Sequence, residues 1–327
     1  MNVCLGLDTS NYRTSTALCA IDAGAKDSLY YEEKRLLCVE KGQRGLMQSQ
    51  ALFQHVCQLP VLLEKLMAAH ADCSIVAVCA SVRPRPVEGS YMPVFRAGEA
   101  AARSVAAALK APCFFTTHQQ GHLRAARIGT PLREDDTYLA LHLSGGTTEM
   151  LLVGPGQYEL VGGSGDLHAG QLIDRIGVAM GLPFPAGPAL EALACHGEAR
   201  QLLTAPVKTT ACHFSGAETK ALSLLAQGEI SREDLAAEVF SCVARAVSRL
   251  TLVGCERTGA AKVLLGGGVA SSALLHEQIR ERVARRNGRI RLYFARPELS
   301  GDNAVGVAVI GAEEYKRKEA QNDGTDT

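Results

Sequence analysis

The chain has no tryptophan, and aromatic residues make up only 5% of its 327 positions. Its core must therefore rest on Leu, Val, Ile and Ala. It also has no C-x-x-C pair, although it carries 11 cysteines, an odd number scattered along the length. That pattern reads as free thiols, several of them (Cys4, Cys19, Cys79) in apolar runs, packed as small hydrophobes in a reducing compartment. Net charge is absent as well, because 34 basic side chains cancel 34 acidic ones. A neutral balance argues against a dedicated, non-specific nucleic-acid binder while leaving room for a local basic face. No apolar run approaches the ~18 residues of a membrane span. The first residues pass straight into strand-like sequence without a charged leader. The expectation is a cytoplasmic protein with no membrane partner.

Hydrophobic residues make up 47% and charged residues 21%, as in soluble globular proteins. The length implies about two domains. Val3 to Leu7 is a short apolar run, followed by the polar turn Asp8-Thr9-Ser10-Asn11 and a β-rich segment from Thr14 to Ala20. Leu29 to Val39 is strand-like, residues 48–69 read as an amphipathic helix broken or kinked at Pro60, and Ile75 to Ala80 reads as a buried strand. An Ala-rich helix covers 97–109. The scheme then begins again: strand Tyr138 to Leu143, turn Ser144-Gly145-Gly146-Thr147-Thr148, strands Glu149 to Val153 and Tyr158 to Val161. Helices over 168–180, 217–227 and 232–252 follow, then a short strand Lys262 to Leu265 and a helix opening near Ser271. Two copies of one scheme point to a duplicated lobe. The charged stretch Leu132 to Asp136 links them, and the Lys- and Glu-rich tail after about Glu314 should fray.

Several features could carry chemistry. The two hairpin turns, equivalent in the two halves, could bond phosphate oxygens through free N–H groups and hydroxyls, although Gly and Thr are ordinary turn residues. Gly266-Gly267-Gly268 joins a strand to a helix start, but lacks the Lys of a P-loop and the spacing of a dinucleotide fingerprint. His118 and His122 stand at i and i+4, one face of a helix and the spacing of metal-binding pairs. Gln120 between them is not the Glu of a zinc protease, so hydrolysis of that kind is not supported. Asp302, in a Gly turn before the helix candidate Ala304 to Ala312, is a candidate third ligand or a plain N-cap. Asp174 could face a ribose or a magnesium ion, or simply solvent, and Pro183 to Pro188 reads as a rigid loop that could pack against a base.

Taken together, these motifs resemble the TsaD (Gcp, peptidase M22-like) family, within the actin/Hsp70/sugar-kinase superfamily. The resemblance runs from Gly6-Leu7-Asp8-Thr9-Ser10 to Asp302-Asn303-Ala304. It implies an α/β fold of two ribonuclease-H-like lobes with a cleft between them. The first lobe would span 1–131 and 300–327, and the nucleotide-binding lobe 132–299. The metal pair falls on His118 and His122, and the metal Asp on Asp302. His142-Leu143-Ser144-Gly145-Gly146 matches the substrate loop, Gly170 to Asp174 puts the ribose-facing acid at Asp174, and Pro185 to Pro188 puts a nucleotide-contacting glycine at Gly187. Ser272 stands where the family has a nucleotide-contacting Asn. His142, where some members have a metal-reaching Tyr, could add a third imidazole or turn into the core.

The implied activity is transfer of the threonylcarbamoyl group of threonylcarbamoyl-AMP to N6 of adenosine in tRNA. It would use a divalent metal (Fe or Zn), an adenine nucleotide (threonylcarbamoyl-AMP or ATP), and TsaB-like and TsaE-like partner proteins. No catalytic residue is assigned, because no Ser-His or Cys-His nucleophile is required. Arg285, Arg286 and Arg289 give a tRNA partner some support. The chain departs from the family at Asn11-Tyr12-Arg13, Arg83 to Pro86, Gln120, Thr147, Glu218 and Ser272. A non-catalytic nucleotide- and metal-binding paralogue, or a carbamoyltransferase with a small-molecule acceptor, therefore stays open.

Overall fold

The computed structural model describes residues 1–10, 12–22, 29–39, 46–133 and 136–323. Asn11 of the first turn, and Glu134 and Asp135 of the charged link, lie outside the described residues. The chain forms two compact units, Met1–Pro131 with Gly301–Thr327, and Leu132–Ser300.

In the first unit, β1 (Asn2–Thr9), β2 (Arg13–Ala20) and β3 (Tyr30–Leu36) form an antiparallel meander. Helix α1 (Gln48–Ala69) leads to β4 (Ser74–Ser81), α2 (Phe95–Leu109) to β5 (Cys113–Thr116), and α3 (His118–Arg127) follows. The sheet order is β3-β2-β1-β4-β5, with β4 and β5 parallel to β1. The expected break at Pro60 does not occur. Helix α1 runs through it because Leu59, Leu62 and Leu66, all buried, anchor the turns around the missing N–H.

The alternation of β1 explains its burial on both faces. Val3, Leu5 and Leu7 point into a core with Leu59, Leu66, Val78 and Ala102. Cys4, Gly6 and Asp8 point the other way, under the closing helix α9 (Val305–Asp323). That helix approaches closely enough that a Cβ on Gly6 would lie 2.5 Å from Ala308 N and 2.7 Å from Ala304 O. Gly311 on α9 comes as near to the Cys4 and Cys79 sulfur layer. The tail marked as frayed is helical to Asp323, where Ala, Glu and Lys favour helix and Arg317 pairs with Glu314.

The second unit repeats the plan. Strands β6 (Tyr138–Leu143), β7 (Thr148–Gly154) and β8 (Gln157–Ser164) form the meander. Helices α4 (Ala169–Ala179) and α5 (Gly187–Ala194), strands β9 (Val207–Lys208) and β10 (Ala211–Cys212), and helices α6 (Ser215–Gln227) and α7 (Arg232–Thr258) come next. Then follow β11 (Lys262–Gly266), α8 (Ala273–Arg286) and β12 (Arg291–Phe294). The order is β12-β11-β6-β7-β8-β10-β9, so β6, like β1, lies between an antiparallel hairpin partner and a parallel crossover strand. Helix α7 is the spine of this core, burying Leu235, Val239, Phe240, Val243, Val247 and Leu250. Among the described residues, no helix is long and apolar enough to cross a membrane.

The tight seat of α9 gives a test. Gly6→Ala should lower the unfolding free energy by about 1–3 kcal/mol through overpacking against a backbone. Gly146→Ala, where a Cβ meets nothing within 4 Å, should leave it unchanged in the same urea titrations.

Candidate metal centre and nucleotide loop

The histidine pair sits at the start of α3, and the local sequence fixes that start. Thr117 is the N-cap, accepting from Gln120 N, while Gln120 Oε1 accepts from Thr117 N at 3.1 Å. Gln120, which departs from the family residue, thus completes a capping box. The loop Arg83-Pro84 satisfies the next orphan donors: His118 N donates to Arg83 O and Gln119 N to Pro84 O, each at 3.0 Å. Helix α3 then packs on α9 at two glycines. A Cβ on Gly306 would fall 1.9 Å from Gly121 O, and one on Gly121 2.9 Å from Val307 Cγ2. This close crossing brings Asp302, three residues before α9, against the imidazoles. Arg124, buried in α3, reinforces it by donating Nε to Glu313 of α9 at 2.8 Å.

His118, His122 and Asp302 converge. His122 Nε2 lies 3.0 Å from His118 Nε2 and 3.1 Å from Asp302 Oδ1, and His118 Nε2 lies 3.6 Å from that oxygen. Two ring nitrogens facing each other need a proton between them or a cation in its place. A tetrahedral ion with bonds of about 2.1 Å spaces its ligands about 3.4 Å apart, so the set has the dimensions to hold one ion. Behind it, His118 Nδ1 donates to Asp8 Oδ1 at 3.0 Å. Asp8, fully buried, also accepts from Ser81 Oγ. A carboxylate on the far ring nitrogen fixes the tautomer that leaves Nε2 for an ion. Asp302 Oδ2 accepts from Ser10 Oγ at 3.0 Å, and its carbonyl accepts from Arg13 Nη1 at 3.0 Å. Ser10 is held in turn by His55, whose Nε2 donates to Ser10 O and whose Nδ1 accepts from Thr14 Oγ1, each at 2.8 Å. Burial lowers the His55 pKa, consistent with this neutral ring.

Electrostatics follows the geometry. Burial disfavours a charged His118, but the Asp8 carboxylate and then Asp302 outweigh it and raise its pKa well above the ordinary value. Burial pushes the Asp302 carboxyl up, and the two histidines outweigh that and hold it well below the carboxylate range. Asp8 and His55 escaped the sequence reading. Asp8 was seen only as a turn residue, although an acid at the buried end of a central strand was the available signal. His55 gave none, being one polar residue in an amphipathic helix.

The second set of expected site residues gathers in the second unit. Leu143 is in the core, and the turn Ser144 to Gly146 follows it, with Gly145 and Gly146 exposed. Neither glycine has a positive φ, and a Cβ would meet only Asp174 Oδ2, at 3.8 Å from Gly145, and nothing at Gly146. The protein's own packing does not demand these glycines, which leaves room for a ligand against their backbone. Gly170 is the reverse case, since a Cβ there would strike Ser144 O at 2.5 Å and Gly145 Cα at 2.7 Å. That contact brings α4 and its Asp174 to the turn. Asp174 Oδ1 accepts from Ala186 N at 2.8 Å, which adds Gly187, the first residue of α5. The segment read as a rigid loop therefore runs into a helix at Gly187, with Pro188 in its first turn.

The glycine turn after β11 leads to a helix start as expected, with α8 opening at Ala273. Gly267, at φ +95, lies where a Cβ would meet Leu143 O at 2.3 Å, so this glycine locks β11 to β6. Helix α8 starts only after Ser272, whose hydroxyl accepts from Leu275 N and donates to Glu191 Oε1 at 2.7 Å. Ser272 thus ties α8 to α5. His142 lies on β6 opposite Glu149, half-buried, whereas the converging metal-type set of the described residues is confined to the first unit. Glu218, where the family has Lys, pairs with Arg175 at 3.1 Å.

In the metal-free protein, His118 should titrate above the ordinary histidine range, and Asp8→Asn should bring it back toward that range in imidazole NMR spectra. Because the folded value is raised, this pairing stabilises the metal-free fold fully below about pH 6.5 and is lost as pH rises through the folded value.

A family model described as TsaD, tRNA N6-adenosine threonylcarbamoyltransferase, matches residues 37–309. A protein named tRNA N6-adenosine threonylcarbamoyltransferase from Aromatoleum aromaticum is 30% identical over 321 residues, covering 94% of this chain and 90% of its own. One of the same name from Methanopyrus kandleri is 32% identical over 273 residues, covering 82% and 76%. Among solved structures, the activator of 2-hydroxyisocaproyl-CoA dehydratase from Clostridium difficile, with bound ADPNP, has a TM-score of 0.53 at 14% identity. It covers 98% of this chain and 97% of its own. That likeness shows the fold, an α/β arrangement of the actin/Hsp70 type.

Proposed function

The chain belongs to the tRNA N6-adenosine threonylcarbamoyltransferase family, and from that premise we propose that it transfers threonylcarbamoyl from threonylcarbamoyl-AMP to N6 of adenosine in tRNA. The observation that carries this reading is the convergence of His118, His122 and Asp302 on one ion-sized point, with Asp8 behind His118. A scaffold without chemistry has little need of that arrangement.

One divalent ion, Fe(II) or Zn(II), suits two imidazoles and a carboxylate better than Mg(II) does. When bound, it supplies Lewis acidity toward a carbonyl or carboxylate oxygen of the donor. The chain's own residues do the rest. Asp8 holds the His118 ring, Ser10 holds Asp302, and His55 holds Ser10. The adenylate belongs on the second unit, with its phosphate on the Ser144 to Gly146 backbone, its ribose on Asp174 and its base beside Gly187. His142 is assigned to this loop, and metal analysis of His142→Ala decides whether it also contributes to metal loading. In the transfer, the adenosine N6 amine forms a bond to the carbamoyl carbonyl carbon. The carbonyl–phosphate oxygen bond breaks, AMP leaves, and the amine gives up one proton. TsaB-like and TsaE-like proteins are the expected partners.

Three measurements test this. Nucleosides of tRNA from cells lacking the chain should lose threonylcarbamoyladenosine by mass spectrometry, and an unchanged level overturns the assignment. His118→Ala should abolish stoichiometric metal by elemental analysis. Asp174→Ala should weaken adenine-nucleotide binding in calorimetry by about 1.5–3 kcal/mol, one charge-assisted hydrogen bond. Absence of nucleotide binding by the wild type would overturn the second site.

A further inference from the structure

Two arginines on the α7–α8 face are arranged in a way the fold alone does not require. Arg245 of α7 donates Nη1 to Ser241 Oγ at 2.8 Å and Nη2 to the Leu203 carbonyl. Arg282 of α8 donates Nη2 to the same Ser241 Oγ at 3.4 Å. Ser241 is 4% exposed, and both arginines are half-buried. Two like charges therefore share one neutral hydroxyl. Among the described residues, neither arginine has a carboxylate within ion-pair distance. The neighbouring acids are engaged elsewhere: Glu281 with Arg285 at 3.1 Å, Asp234 with Arg200 at 3.7 Å, and Glu238 with the backbone N–H groups of Arg200, Leu202 and Leu203.

Burial, then Arg245, then Arg285 lower the Arg282 pKa, yet a guanidinium stays charged in proteins. The strain is thus carried as repulsion between charges, which a dianionic or monoanionic oxyanion would turn into attraction. A planar guanidinium fork matches phosphate oxygens bidentately, and Arg282 makes a single long hydrogen bond here, so most of its N–H groups are open to such a ligand.

We propose that Arg245 and Arg282 form a phosphate subsite that seats one backbone phosphate of RNA on the α7–α8 face. The choice of RNA over a free anion comes from what continues the subsite. Arg285 and Arg286 follow Arg282 by three and four residues on α8, the spacing that sets side chains on one face of a helix, and Arg289 comes just beyond its end. From Arg282 to Arg286 the helix rises about 6 Å, more than a single phosphate spans. A neutral chain that concentrates its arginines in this way makes a local track for a polyanion. The subsite rests on the tRNA acceptor reading above and adds to it a position and a contact.

The test measures tRNA affinity by fluorescence anisotropy across a KCl series for the wild type, Arg245→Gln, Arg282→Gln, the double variant, and Arg103→Gln on α2 of the first unit as a control. Each subsite substitution should weaken binding about tenfold at low salt, and the double variant, which frees the one phosphate, should reduce the slope of log K against log salt by roughly 0.7–0.9. Arg103→Gln should change neither. Arg282→Gln gives up one long hydrogen bond and removes one of two repelling charges, so it should leave the melting temperature equal or higher, whereas a purely structural residue would lose stability. Wild-type binding with an unchanged slope in the double variant overturns the subsite while leaving the acceptor reading intact. Absence of any tRNA binding by the wild type overturns the acceptor reading, and the subsite with it. Inorganic phosphate that stabilises the wild type but not the double variant, with tRNA affinity equal in both, marks a free-anion site and overturns the RNA assignment.

Discussion

The contact between Gly121 and Gly306 is the constraint on which the metal centre depends. Helix α3 carries both imidazoles, and the turn before α9 carries the carboxylate. The two helices approach until the backbone of one fills the space of a missing side chain on the other. A larger residue at Gly306 would strike the α3 backbone and push the ligands apart. The surrounding interactions hold that approach in register. Arg124 ties α3 to Glu313 on α9, Gly6 lets α9 lie on β1, and the capping box at Thr117 sets where the imidazole face begins.

The scaffold was largely legible in the sequence, because its signals are local. The duplicated hairpins, the i, i+4 histidines and the long amphipathic helices all follow from periodicity and turn chemistry. The elements missed have weak local signals. β5 and β12 are four residues each and β9 and β10 two each, too short for periodicity to register. Helix α5 was hidden by the prolines before it, which marked a loop although Pro188 falls in the first turn where proline is tolerated. The supporting residues of the site were the least legible. Asp8 reaches His118 across 110 positions, and Ser10 reaches Asp302 across 292. No window of sequence contains such a pairing. Gln120 and Ser272 illustrate the same limit, since both depart from the family pattern and both turn out to cap helices.

The matching sheet orders allow the two units to be compared position by position. Asp8 is the next-to-last residue of β1 and His142 the next-to-last of β6, and each is followed one residue later by the last residue of its strand and then by a serine. One plan thus presents an acid at this place in one unit and an imidazole in the other. In the first unit the acid is fully buried and orients a ring. In the second, the same turn is left open by two glycines with room against their backbone.

The first unit is assembled from both ends of the chain, and this orders events during synthesis. His122 and Asp302 are 180 residues apart, so at about 5–20 residues per second the ribosome makes the histidines roughly ten to forty seconds before the carboxylate. All of the second unit is made in that interval. A nascent chain therefore carries an imidazole pair without its acid until almost the last helix emerges. A chain that stopped at Ser300 would keep both histidines and the whole second unit, yet lack Asp302 and the helix that closes β1.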